Sequence, residues 1–233
     1  METNIIPSLK ETLFYPITTN LNDSLMEITE IGIDALLEDG MLKSIPVLGT
    51  IAALCKTGLN LRERNLIRQT AVFIMSFNDE KIDQKKLDAY REALKDPKKA
   101  EKELGRVILL LDRFLEEKQS ELLGRFYRTY VAGGIKWEKF IELSETIERM
   151  MVSDYEELIS IARKPIKAIE SIPDRRMYRI QRLQSLGLVM ENKAQVIDGS
   201  TILSSGTDDR FVLSPFGRTF FGLIKKDLPV NYV

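Results

Sequence analysis

Residues 44–55, SIPVLGTIAALC, run without a charge between Lys43 and Lys56. Three structures suit such a stretch: a membrane span, a phosphate loop, or the middle of a core. A spanning helix needs about 20 apolar residues, and this run is shorter and carries Pro46 and Gly49. A phosphate loop of the G-x-x-x-x-G-K-[ST] kind would need glycines where Thr50 and Cys55 precede Lys56-Thr57, so close backbone approach to a phosphate is blocked. A helix apolar on nearly all sides is one surrounded by other helices. The expectation is therefore a buried central helix. Ser44 is placed to cap it, Pro46 suits its first turn, and Gly58 suits its end. Cys55, inside the run, is expected to be buried and inert, because a reactive thiol needs exposure and a lowered pKa. Val47, Leu48, Ile51 and Leu54 are the residues such a helix would offer to a partner, or to a membrane if a conformational change released it.

Outside this run the chain is polar enough to be water-facing. Its 233 residues suit one large or two small domains. Apolar residues make up 44%, enough for a core, and 34 basic side chains stand against 35 acidic. That near neutrality argues against a chain coated in nucleic acid, so any such surface must be a local patch. There is no histidine and one cysteine. Internal disulfides, Cys/His zinc sites, catalytic triads and any histidine general base are excluded. The start, METNIIPSLKE, has no basic region before an apolar one and does not resemble a secretory signal. A cytoplasmic protein without a cofactor is expected.

Helical signals follow one another through the first 150 residues. Residues 1–20 hold Pro7 and Pro16 and read as an irregular arm. Between Asn22 and Gly40, Leu25, Ile28, Ile31, Ile33, Leu36 and Leu37 recur at helical spacing. The stretch LNLRERNLIRQTAVFIMSFND, residues 59–79, reads as another helix ending near Asn78, and a short charged one follows the cap Asp83. Asp96-Pro97 is a cap followed by proline at the first helical position. It opens one long helix, or two nearly continuous ones, ended by Gly133-Gly134. Trp137 should anchor the next helix, and Ser153 with Glu156 forms a capping box for another. Asp112, Glu116, Glu117 and Glu121 stand at spacings that place several on one helical face, but with Arg113 and Lys118 interleaved and no histidine they read as a solvated face rather than a metal site.

After Arg163 the texture changes. Asp174 is placed to cap a helix, RRMYRIQRLQSLG. AQVI-DG-STIL, residues 194–203, is a two-residue hairpin signal. RFVL is a strand, and Ser214-Pro215 starts a last helix. The order Leu183, Leu186, Gly187, Leu188, then Phe211, Leu213, Ser214, Gly217 resembles the end of a winged-helix domain over about residues 153–226. In that family a helix ends at glycine and enters a strand, a wing hairpin follows, and the return strand leads into a closing helix. The insert from Ala194 to Asp209 adds a hairpin that the minimal family lacks.

The expected architecture is mainly α: a helical bundle over residues 1–150, then a winged-helix-like α+β module over 151–233 with a small antiparallel sheet. The resemblance implies contact with DNA or a protein through the helix that carries Arg175, Arg176, Arg179 and Arg182. Arg175, Arg179 and Arg182 share one face, and arginine suits both guanine edges and phosphates. Residues 174–233 hold nine basic and six acidic side chains, net +3. The competing reading is a docking module whose arginines pair with acids of the helical body. In texture the chain resembles helical proteins of bacteria and their mobile elements. The leading expectation is a non-enzymatic binding or regulatory protein. The alternative is a phage-defence or toxin-like effector that exposes the 44–58 helix to a membrane. An enzyme using carboxylates or lysine has the least support.

Overall fold

The structure is a computed structural model that describes residues 5–14, 45–54, 60–167, 171–192, 194–197, 200–203 and 209–224, the stretch 194–203 as backbone only. It is mainly α and forms two compact units, Met1–Glu148 and Arg149–Val233. The helix expected between Asn22 and Gly40, the cap Ser44, Cys55 and Gly58 all lie outside the described residues.

The first unit holds α1 (Ile5–Phe14), α2 (Pro46–Leu54), α3 (Leu61–Asn78), α4 (Gln84–Ala93), α5 (Pro97–Arg113), α6 (Glu117–Val131) and α7 (Trp137–Arg149). The irregular arm expected over residues 1–20 is instead a helix across half of its length. Ile5, Leu9 and Leu13 are spaced by four and are buried. Pro7 sits in the first turn, where its missing N–H costs no intrahelical bond. α1 also explains how the opening stretch is satisfied. α2 begins at Pro46, and its first available donor, the Val47 N–H, bonds the Thr12 Oγ1 of α1 at 3.1 Å. Val47, Leu48 and Ile51 are buried, α2 packing against α1 and α3, while Ala53 is exposed and Leu54 half-buried. α2 thus presents one buried face rather than being enclosed all round.

Asn60, Asp83 and Asp96 cap α3, α4 and α5 through their side chains. The segment from Pro97 to Val131 is two helices, and the break at Phe114–Glu116 has a tertiary cause. The Leu115 and Glu116 N–H groups donate to Gln119 Oε1, and Asn65 Nδ2 of α3 donates to the Phe114 carbonyl at 2.7 Å. α3 and α6 pack closely along each other. At their crossing Gly124 admits the α3 backbone, for a Cβ there would stand 2.5 Å from the Phe73 carbonyl oxygen.

Aromatic rings tie these helices together. Phe73 and Phe77 of α3 surround Tyr127 of α6, which also meets Phe140 of α7 at 5.3 Å and Tyr90 of α4 at 6.2 Å. Trp137 stacks on Phe140 at 5.1 Å and so pins the start of α7. Within the cluster lies a buried carboxylate, Glu103 of α5. Tyr90 donates to its Oε2 at 2.6 Å and Tyr130 to its Oε1 at 2.9 Å, while the Tyr90 and Tyr127 hydroxyls meet at 2.5 Å. Burial is the largest cause that pushes the hydroxyls of Tyr90, Tyr127 and Tyr130 above the ordinary tyrosine range, and the Glu103 charge acts in the same direction on each.

The second unit holds α8 (Val152–Arg163), β1 (Ile166–Lys167), α9 (Asp174–Ser185), β2 (Val189–Glu191), β3 (Ala194–Ile197), β4 (Ser200–Leu203), β5 (Asp209–Leu213) and α10 (Pro215–Ile224). β1, β5 and β2 form an antiparallel sheet in that order, with Ile166 and Glu191 both opposite Phe211 and Val189 opposite Leu213. β3 and β4 pair antiparallel, Ile197 opposite Ser200. Two caps differ from expectation. α8 starts before Ser153, and the Asp154 carboxylate accepts from the Met151 N–H at 3.0 Å. α9 has Pro173 at its cap position and Asp174 as its first helical residue.

One knot closes the sheet onto its helices. Gly187 has φ +72° and lets α9 turn into β2. Ser214 N–H donates to the Leu188 carbonyl at 3.0 Å, Ser214 Oγ to the Gly187 carbonyl, and Gly217 N–H to Ser214 Oγ at 2.8 Å. α10 approaches so closely that a Cβ on Gly217 would fall 1.9 Å from the Leu188 oxygen.

Two outcomes follow from these contacts. Gly124→Ala is expected to cost about 1–3 kcal/mol in urea unfolding through overpacking. Gly222→Ala, with nothing within 4 Å of the added methyl, should instead gain up to about 1 kcal/mol by helix propensity. On alkaline titration Tyr90, Tyr127 and Tyr130 should ionise only as the bundle unfolds. Their folded values lie above the ordinary 10.0, so the stability they confer is complete below that pH and is lost as pH rises beyond it. Ultraviolet absorbance of tyrosinate, followed beside helical circular dichroism, checks this. Ionisation of these three ahead of helix loss would contradict it.

Candidate functional site

α9 is amphipathic, and its two faces have different fates. Ile180 and Leu183 are buried in the core of the second unit. Arg175, Tyr178, Gln181 and Ser185, spaced by three or four, are exposed, with Tyr178 at 61%. A tyrosine so open on a short helix leaves an aromatic surface for contact. Four arginines share this helix, and the structure divides them.

Arg182 grips α8. Its Nε and Nη2 both donate to the Asp154 carboxylate, the shortest contact being 2.6 Å. Asp154 is fully buried while Arg182 stays 35% exposed, so the pair seals a carboxylate under the stem of a half-open arginine. The hydrogen bond to Asp154 is the main reason the Arg182 guanidinium is held above its ordinary pKa; desolvation works slightly against it. Arg176 makes a second link, two turns earlier on α9, donating Nε–H to Glu157 Oε1 at 2.9 Å. Asp154 and Glu157 are three apart on α8, so one helical face supplies both acids.

Arg175 and Arg179 have no hydrogen bond or ion pair among the described residues. The sequence places Arg175, Arg179 and Arg182 on one face; the structure leaves Arg175 exposed and Arg179 half-buried there, and commits Arg182 to Asp154. The acids that engage Arg176 and Arg182 belong to α8 of the same unit. Asp154 and Glu157 are the residues that sequence reasoning passed over. Their signal was present as an acidic pair three apart ahead of an arginine pair six apart, but only the packing of α8 on α9 reveals the partnership.

The other candidates resolve differently. Asp112, Glu117 and Glu121 face Arg62, Arg68, and Lys118 with Arg125 respectively, as surface ion pairs. Among the described residues no group of three metal-ligating side chains gathers, and no helix is long and apolar enough to cross a membrane. The nine residues of α2 span about 14 Å, against about 30 Å of bilayer core. Val47, Leu48 and Ile51 are held beneath α1 and α3, not displayed.

Removing the guanidinium of Arg182 strands a buried carboxylate. Arg182→Ala is expected to lose roughly 2–4 kcal/mol of the second unit's stability, less than a fully buried pair because Arg182 is partly wet. Arg175→Ala should lie within about 0.5 kcal/mol of the parent. Urea unfolding of both variants makes the comparison, and equal costs would refute the division. No family model, curated protein or solved structure matches this chain.

Proposed function

We propose that the chain is a non-enzymatic, cytoplasmic binding and regulatory protein of a bacterium or mobile element. Its C-terminal unit is a winged-helix module that contacts duplex DNA through the outer face of α9. Arg175 and Arg179 are the cationic contacts, with Tyr178 and Gln181 beside them. Arg176 and Arg182 hold the helix in place from behind.

The single observation that carries this reading is the division of the arginines. Two are tied to the carboxylates of α8, Arg176 through Nε alone, while two stand beside the exposed Tyr178 with no acid paired to them among the described residues. Arginine on an exposed helix suits phosphates and guanine edges, and Gln suits adenine. The sheet order β1-β5-β2, the Gly187 turn and the Ser214–Gly217 knot support the winged-helix reading. The β3–β4 hairpin, which the minimal family lacks, is inserted between β2 and β5 in the chain. The local surplus of cations lies in a chain of net charge −1, so attachment rests on a few contacts rather than on a general field.

Fluorescence anisotropy with a labelled duplex across a salt series tests it. The Arg175→Ala/Arg179→Ala double variant should bind more weakly. It should also flatten the slope of log K against log salt by about 2, since each phosphate neutralised by the protein adds about 0.9 to that slope. If the parent protein binds no duplex in low salt, the reading is wrong.

A further inference from the structure

At the start of α9 the surface dips into a hollow of about 400 Å³ lined by Pro173, Arg175, Arg176, Arg179 and Glu157. We propose that this hollow is a binding site for one phosphate group, with Arg175 and Arg179 as ligands and Glu157 acting as a positioning residue that fixes Arg176 as a third. The site rests on the nucleic-acid reading above only for the source of the phosphate, a duplex backbone as opposed to a free phosphate.

The argument is one of charge and geometry. Three arginines line the hollow against a single glutamate, a formal balance of +2. Glu157 is buried and committed to Arg176 Nε at 2.9 Å. Arg175 and Arg179 repel each other and Arg176 across the hollow, and an anion there removes that repulsion. A phosphate carries about −1 as a diester and about −1.5 to −2 as a monoester, close to the surplus. Glu157 engages only the Nε edge of Arg176, so the two Nη groups retain donors. A planar guanidinium anchored along one edge is pre-organised to present the other to an oxyanion. The carboxylate therefore lowers the total charge but supplies orientation, as surface arginines without such a brace do not.

The test follows the side-chain Nε–Hε resonances of Arg175, Arg176 and Arg179 during titration with inorganic phosphate, with chloride at matched ionic strength as control. The duplex titration runs in parallel. Saturable shifts of all three with phosphate and not with chloride are expected. Glu157→Ala should weaken phosphate binding about two- to fivefold, and Glu157→Gln, which keeps the acceptor oxygen, should restore it to at least the parent's affinity. Arg175→Ala/Arg179→Ala, which removes no hydrogen bond or ion pair described within the unit, should abolish saturation while the thermal midpoint stays put. Shifts that are linear, or equal in chloride, overturn the site. Glu157→Ala binding phosphate as well as Glu157→Gln overturns the positioning role. Saturable phosphate binding without duplex binding upholds the site with free phosphate as its source and sinks the nucleic-acid reading. Duplex binding whose salt slope survives the double arginine change, with the resonances unmoved by phosphate, sinks the site and leaves the nucleic-acid reading to another surface.

Discussion

The Asp154 carboxylate governs what the second unit can do. It is fully buried, yet it takes the Met151 N–H at the head of α8 and two nitrogens of Arg182 from α9. A lone buried carboxylate would be costly, and the pair is tolerated because its acceptor sites are used. Hydrophobic packing between α8 and α9 sets their distance but tolerates rotation and sliding. A forked arginine on a buried acid does not, because both hydrogen bonds are lost when the register slips. The Arg176–Glu157 link, further along the same pair of helices, adds a second point of registration. Together they fix which side of α9 faces outward, and with it the identity of the exposed residues. Specificity of arrangement is the better account of these pairs than net stability.

Legibility in the sequence follows the range of each interaction. Caps are local, so Asp83, Asp96 and Ser214 announce their helices within four residues. The hairpin of β3 and β4 is equally local, with Ile197 opposite Ser200 three residues on. α1 was hidden because two prolines outweighed a short period of Ile5, Leu9 and Leu13, and because its value lies in a distant bond from Val47 to Thr12. Two nearly continuous helices are one of the alternatives for Pro97–Val131, and the place of the break was hidden for a similar reason. Nothing in Phe114–Glu116 forbids a helix; Asn65, forty-nine residues earlier, takes the carbonyl that the helix would have used. The site shows the same split. The arginines were visible at helical spacing, while the fate of each depended on acids nineteen and twenty-eight residues away. Periodicity places a side chain on a face and is silent about what meets it there.

The Glu103 cluster in the first unit shows how a buried carboxylate can tie three helices together. Tyr90, Tyr130 and, through Tyr90, Tyr127 surround the carboxylate, and Lys99 stands 3.8 Å away. Each hydroxyl has a partner, and each is held above its ordinary pKa, chiefly by burial. A general acid or base needs a value near the working pH and room for a substrate beside it. The three hydroxyls are moved up by burial, away from neutrality, and Tyr127 is packed wholly among rings. Their role is architectural: α4, α5 and α6 each contribute to one network, so no helix can turn without stranding a polar atom.

A near-neutral chain that carries a local excess of arginine behaves differently from a uniformly basic one. A basic protein is drawn to any polyanion over a long range, and its affinity is mostly non-specific. Here Arg106 and Arg113 of α5 meet acids of α7, Arg125 of α6 meets an acid one turn away, and two of the four arginines on α9 are consumed from behind. The surplus on α9 is small and confined to one stretch of helix. Binding through such a face begins weak and gains strength only where phosphate positions and base edges fit it together. On the function proposed above, the acids of α8 would act twice: they orient the helix, and they offset part of its charge.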